Sequence, residues 1–236
     1  MKNHQTNRKV DVLFIGAHQD DVEATVGGIM LSLVDRGYEV EILDLTRRRG
    51  MYYSEEEERD KEAECAAKVL GVRRTVVDMG MLKVSNTHGN RLRIAEIIRT
   101  KKPDVIVTHP DDPSHPDHKA AHQLVRDAIH YGFATAIKTK HPPWRIKKVY
   151  YFPLFHTRGI PPNGFLVDVS KYFETKMEAL KCYASQMLFH AHNQKYELEY
   201  LTAMNRYWGL MIKKDYAEVI LADMPQLEPF PELEKK

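Results

Sequence analysis

The sequence predicts an α/β fold on a mostly parallel sheet, and three observations carry that prediction. Val10 to Ile15 is a short β-branched apolar run with little alternation, as a strand buried on both faces requires. Val22, Val26, Ile29, Met30, Leu33 and Val34 then recur at helical spacing, and Val40 to Leu45 is a second strand-like run, which together make a βαβ unit of roughly 35 residues with a right-handed crossover. Finally, His, Asp and Pro gather in the turns that leave two such strands, where open α/β sheets bind ligands.

The elements follow in order. Gly37 is placed to stop the first helix. After Thr46 the chain turns basic (Arg47, Arg48, Arg49) and passes through Gly50. Ser54 and Glu57 have the spacing of a capping box for a helix that runs to about Leu70 and ends at Gly71. Arg74 to Val77 reads as a third strand, Met79 to Gly89 as a loop, and Arg91 to Thr100 as a helix with Leu92, Ala95 and Ile98 inward. Asp104 to Thr108 is a fourth buried strand. It opens into His109 to His118, where Pro110, Pro113 and Pro116 forbid regular structure until about Asp117. Ala120, Ala121, Leu124, Val125 and Ala128 are the inner face of the next helix.

Strands are expected at Val149 to Phe152, Phe165 to Val169 and Ala217 to Leu221, and helices over about Lys171 to Ser185 and Gln194 to Leu210. No repeat or linker divides the chain. It reads as one Rossmann-like three-layer α/β/α domain over 1–236, with its core at about 10–222 and a charged, proline-bearing surface tail from 223 to 236. Tyr200, Met204, Tyr207, Trp208 and Met211 fit either a homo-oligomer interface or core packing.

Composition narrows the function. Apolar residues at 43% and charged residues at 29% suit a soluble globular domain, and a net charge of +2 favours neither nucleic acid nor a membrane surface. Met1 to Lys9 is polar and the apolar run after it is too short for a signal core or a membrane span. Cys65 and Cys182 make neither a disulfide framework nor a Cys-x-x-Cys metal pair, which fits a reducing compartment. The expected location is the cytoplasm.

The chemistry lies in two loops. Gly16-Ala17-His18-Gln19-Asp20-Asp21-Val22-Glu23 leaves the first strand, and His115-Pro116-Asp117-His118 leaves the fourth. A dinucleotide fold would place glycines at the first loop, with Asp44 for a ribose. Two carboxylates there repel phosphate and attract a cation, so that reading fails. The plainest alternative is that Asp20 and Asp21 only cap the following helix. A hydrolytic metal site takes three protein ligands and leaves a position for water; imidazole with carboxylate suits zinc, and also non-haem iron(II) or another divalent ion. One histidine of the second loop can remain an acid, with Asp117 orienting it.

Ala17 to Glu23 resembles the Ala-His-Pro-Asp-Asp-x-Glu signature of the LmbE-like (PIG-L type) zinc-dependent N-acetylglucosaminyl de-N-acetylases, and His115 to His118 resembles their second signature. The likeness extends to Asp44-Leu45-Thr46, to Arg59–Ala63 and to Tyr183-Ala184-Ser185-Gln186. It implies a hydrolase that removes acetyl from a small N-acetylglucosamine compound or conjugate. It implies zinc ligands His18, Asp21 and His118, Asp20 as general base, His115 as the acid with Asp117 as its partner, and Arg59 against the substrate. Gln19 stands where proline is usual, Arg47-Arg48-Arg49 replaces Gly-Glu, and Met79-Gly80-Met81 lacks Pro-Asp. The basic stretch reads as a rim for an acidic substrate or as a solvated loop. His109, Asp111 and Asp112 either line the pocket or shape a turn, and His190 and His192 lie on a segment placed to cover the site. The rival readings are a metal-dependent hydrolase of another amide or ester, and a sugar-binding protein without catalysis.

Overall fold

The computed structural model describes residues 9–47, 56–153, 163–185 and 194–222. The expected capping box at Ser54, together with Arg48, Arg49, His190, His192 and the 223–236 tail, lies outside them.

Among the described residues seven strands form one sheet: β1 (Val12–Gly16), β2 (Val40–Asp44), β3 (Arg73–Val76), β4 (Val105–Thr108), β5 (Lys148–Tyr151), β6 (Gly164–Asp168) and β7 (Ala217–Ala222). Their spatial order is β3-β2-β1-β4-β5-β7-β6, and only β7 pairs antiparallel with its neighbours. The helices are α1 (Asp21–Asp35), α2 (Glu56–Leu70), α3 (His88–Lys101), α4 (Pro116–Phe133), α5 (Phe173–Lys181) and α6 (Gln194–Met211).

Side chains on β1 alternate between two cores because successive strand residues face opposite sides. Val12 and Phe14 join Val22, Ile29 and Met30 of α1, whereas Leu13 and Ile15 join Ile94, Ile98, Leu124 and Val125 of α3 and α4. The strand order reverses between β1 and β4, whose registered partners include Ile15 with Thr108. Thr108 Oγ1 donates to the Ile15 carbonyl at 3.0 Å, which ties the ends of the two strands together. The loops that leave them therefore face one crevice at the switch point.

Several boundaries differ from expectation. α3 starts three residues early because Thr87 Oγ1 accepts the Asn90 N–H at 3.2 Å and caps it. α5 stops at Lys181, where Cys182 and Tyr183 bond back to the Ala179 and Leu180 carbonyls and close tighter turns. α1 is broken at Val26 (φ −133°, ψ 26°). The break bares the N–H groups of Gly28 and Ile29, which donate to the two oxygens of Glu218 at 2.9 and 2.7 Å. Glu218 is buried and paired with Lys176 at 2.7 Å, so removing either partner would cost about 3–5 kcal/mol. Gly28 is required there, since a Cβ would lie 2.7 Å from that of Val169.

The cysteines overturn the reading of two separate thiols. Packing of α2 against α5 brings Cys65 and Cys182 to a Cα separation of 5.9 Å, and they form a disulfide across 117 positions. The late apolar residues divide: Trp208 is buried and Met204 packs against the same cluster, while Tyr207 and Met211 are exposed. Among the described residues no helix is long and apolar enough to cross a membrane.

Candidate metal centre

The first loop is folded by its own polar groups. Asp21 Oδ2 accepts the His18 N–H at 2.8 Å, closing a turn over three residues. Thr46 donates through both N–H and Oγ1 to the Ala17 carbonyl, at 3.0 and 2.9 Å, and fixes the loop to the end of β2. A Cβ at Gly16 would meet the His18 carbonyl at 3.1 Å, so glycine permits this return. Asp20 stands at the N-cap of α1, but its side chain makes no cap hydrogen bond and its φ is 130°. The capping role considered for the paired acids is therefore not what this side chain does.

The second loop ends in α4. His115 is its N-cap, its Nδ1 accepting the Asp117 N–H at 3.1 Å, and Pro116 opens the helix, where a missing N–H costs nothing. One turn of helix then carries Asp117 and His118 back toward the first loop.

Three donors converge between the loops. His118 Nε2 lies 3.3 Å from His18 Nδ1 and 3.5 Å from Asp21 Oδ1, and His18 Nδ1 lies 3.4 Å from Asp21 Oδ2. Ligands about 2.0–2.1 Å from a tetrahedral ion stand about 3.3–3.4 Å apart, and these separations, which run to the two different oxygens of Asp21, are close to that. The outer nitrogens are also occupied: His18 Nε2 lies 3.1 Å from Asp117 Oδ2, and His118 Nδ1 lies 3.1 Å from Asp112 Oδ2. Carboxylates behind imidazoles are the usual support of metal-binding histidines.

Two other histidines come close. Donor atoms of His18, His115 and His118, and separately of Asp21, His109 and His118, lie within 4.8 Å of one another. His109 is the weaker candidate because its Nε2 is already engaged, 2.9 Å from the Ala17 N–H and 3.1 Å from Asp21 Oδ2. It stacks on His118 with ring centres 4.3 Å apart and so walls the site.

The buried groups of the cluster shift one another's ionisation. Burial works against a charge on His18, yet the Asp21 carboxylate and the bond to Asp117 raise it to about 9. Burial likewise works against charge on Asp21, but the charge of His18 and the close imidazoles of His109 and His118 hold it well below the usual carboxylate range. Burial lowers His115, reinforced by the charges of His18 and His118, and pushes His109 down to about 4. A metal ion would take the place of the proton on His18, and its binding would release protons.

Two side chains have partners other than those expected of them. The Asp117 carboxylate does not serve His115: Oδ2 faces His18 and accepts the Leu82 N–H at 2.7 Å, while Oδ1 accepts that of Val84 at 3.2 Å. What His115 receives from Asp117 is its backbone N–H, because the side chain caps the helix. Arg59 is only 1% exposed. Its guanidinium donates to the Gln19 carbonyl (2.9 Å), to Asp20 (3.3 Å) and to Glu62 (3.1 Å), and lies over the Tyr183 ring. Arg47 of the basic stretch is paired with Asp60, and the Arg47 N–H reaches Asp78 at 3.2 Å.

Asp112 and His109 were legible only as candidates for a pocket or a turn. The signal for Asp112 was its place six residues before His118 in a proline-held loop; for His109 it was the position directly after β4.

The model of the PIG-L family, described as GlcNAc-PI de-N-acetylase, matches residues 13–129, which include both loops. A 1D-myo-inositol 2-acetamido-2-deoxy-alpha-D-glucopyranoside deacetylase of Segniliparus rotundus is 26% identical, over 74% of this chain and 76% of its own. A probable N-acetyl-alpha-D-glucosaminyl L-malate deacetylase 2 of Bacillus anthracis is also 26% identical, over 80% and 86%. The conserved protein TT1542 of Thermus thermophilus superposes with a TM-score of 0.85 at 29% identity, over 96% of this chain and all of its own. At 22% identity and a TM-score of 0.78, two further structures share the fold. They are the 4-carboxy-2-hydroxymuconate hydratase GalB of Pseudomonas putida, covering 93% and 98% of the two chains, and the N,N'-diacetylchitobiose deacetylase of Pyrococcus horikoshii, covering 94% and 88%. With the two signature loops meeting in one charged crevice, residues 13–129 of this chain carry a PIG-L (LmbE-like) de-N-acetylase domain.

Proposed function

We propose that the protein is a divalent-metal-dependent amidohydrolase that removes the acetyl group from an N-acetylglucosamine-containing small molecule, giving acetate and a free amine. The observation that carries the reading is the His18–Asp21–His118 triangle, sized for a zinc-like ion and backed by two carboxylates. Zinc is the ion it suits best, with iron(II) or another divalent metal as alternatives. The fold alone does not choose the reaction, since a hydratase shares it; the family and the named sugar deacetylases among the relatives favour the amide.

A divalent ion held by His18, Asp21 and His118 would supply Lewis acidity and a water acidic enough to attack at neutral pH. Asp20 receives the proton of the attacking water. Arg59, tied to both Gln19 and Asp20, sets where that carboxylate points. His115 accepts a backbone N–H at Nδ1, so in its neutral form the ring proton sits on Nε2. That N–H donates to the oxygen that gains charge as the carbonyl is attacked, while the proton that Asp20 took from the water passes to the departing nitrogen.

The test is a metal analysis of the purified protein paired with acetate release from a panel of N-acetylglucosamine conjugates. Acetate and free amine formed in equal amounts, and lost on chelation, are expected. Bound metal with no acetate from any such compound would leave a different amide, an ester or a hydration as the reaction.

A further inference from the structure

Asp112 has the geometry of a functional group although it touches no part of the reaction. It is 1% exposed, its Oδ2 lies 3.1 Å from His118 Nδ1, and it is itself held at 2.8 Å by each of the Ser114 N–H and Oγ–H. Pro113 stands between Asp112 and Ser114, which stiffens the turn that aims the carboxylate.

We propose that Asp112 is a positioning residue for metal binding: it takes the Nδ1–H of His118 and so keeps the Nε2 lone pair directed at the point shared with His18 and Asp21. The inference rests on the metal reading above. An imidazole has two neutral tautomers, and only the one with its proton on Nδ1 leaves Nε2 able to bind an ion. Asp112 can only accept at Nδ1 once ionised, and so selects that tautomer. An amide at the same position can offer its NH2 to Nδ1 and favour the wrong one.

The competing idea is that Asp112 merely nucleates the Asp-Pro-Ser turn. The two separate cleanly, because Ser114→Ala weakens the turn and leaves the carboxylate on His118. Zinc affinity, measured by competition with a chromophoric chelator, is expected to fall about 10–100-fold in Asp112→Asn. It should stay within about threefold of wild type in Ser114→Ala and recover in part in Asp112→Glu. Circular dichroism of the metal-free proteins checks that the fold is kept.

Wild-type affinity in a folded Asp112→Asn would overturn the proposal, and so would an equal loss in Ser114→Ala. If the variants do not fold, the His118 tautomer of the zinc-loaded wild type, read from long-range 1H–15N spectra, decides instead: a proton on Nδ1 supports it and a bare Nδ1 overturns it. Failure of wild type to take up zinc removes the metal reading itself, whereas uptake with unchanged affinity in Asp112→Asn removes only this inference.

Discussion

Nε2 of His18 lies 3.1 Å from Oδ2 of Asp117, across 99 positions of sequence. The carboxylate therefore supports a candidate metal ligand, and its substitution should act on the metal. Asp117→Asn is expected to weaken zinc binding about 10–100-fold. His115→Ala should retain zinc and lose about 10²–10⁴ in kcat. Chelator competition beside steady-state kinetics tests both; unchanged zinc affinity in Asp117→Asn would return the carboxylate to His115.

Arg59 acts through Asp20, so a substitution there should leave substrate affinity largely alone. Arg59→Ala misplaces the loop, and an error of about 1 Å at a reacting group costs about 100-fold. The expected result is a fall in kcat of about 10–100-fold with KM within about twofold. Truncation also takes from buried Glu62 its Arg59 counter-charge, leaving it the two hydrogen bonds from Ser185, so a lower melting temperature should accompany it. A raised KM with kcat intact would restore a substrate contact.

Asp44 reports on pH. Burial raises it to about 6, with Glu23 and Asp21 adding repulsion, although the bidentate Arg74 pulls the other way. Between about pH 4 and 6 the folded chain thus binds more protons here than the unfolded chain, and wild type loses stability as pH rises through that window. Asp44→Asn lacks this loss and leaves Arg74 its pair with Glu23 at 2.7 Å. Its stability relative to wild type should therefore climb from pH 4 to 6 and level off above. Urea midpoints at pH 4.5, 5.5 and 7.5 measure it, and a constant difference would exclude the assignment.

The disulfide closes a loop of 117 positions, for which chain entropy alone gives roughly 4–5 kcal/mol. Cys65→Ser should lower the melting temperature measured without reductant. Dithiothreitol should lower that of wild type by a similar amount and leave the variant unchanged. An identical melting temperature for oxidised wild type and variant would mean that the bond contributes nothing to the native state.

What the sequence disclosed follows from distance along the chain. Val10 to Ile15 and the helical stripe after it are local patterns, and β1 and α1 lie where they indicate. His18 and His118 could be brought together because each follows a strand that flanks the switch point. The break at Val26 was hidden because its partner, Glu218, lies 190 positions away on β7. The partner of Asp117 depends on α4: the capping turn gives His115 the backbone N–H of Asp117 and sets its carboxylate beside His18. Cys65 and Cys182 carried no local sign of each other at all.

The φ of 130° at Asp20 has a further consequence. This region of backbone space suits glycine, and holding any other residue there costs about 1–3 kcal/mol. Asp20→Gly should consequently unfold at a higher temperature than wild type while turning over little or no substrate. A more durable protein would then be one substitution from this one, and selection for catalysis would be what keeps the less durable version in use.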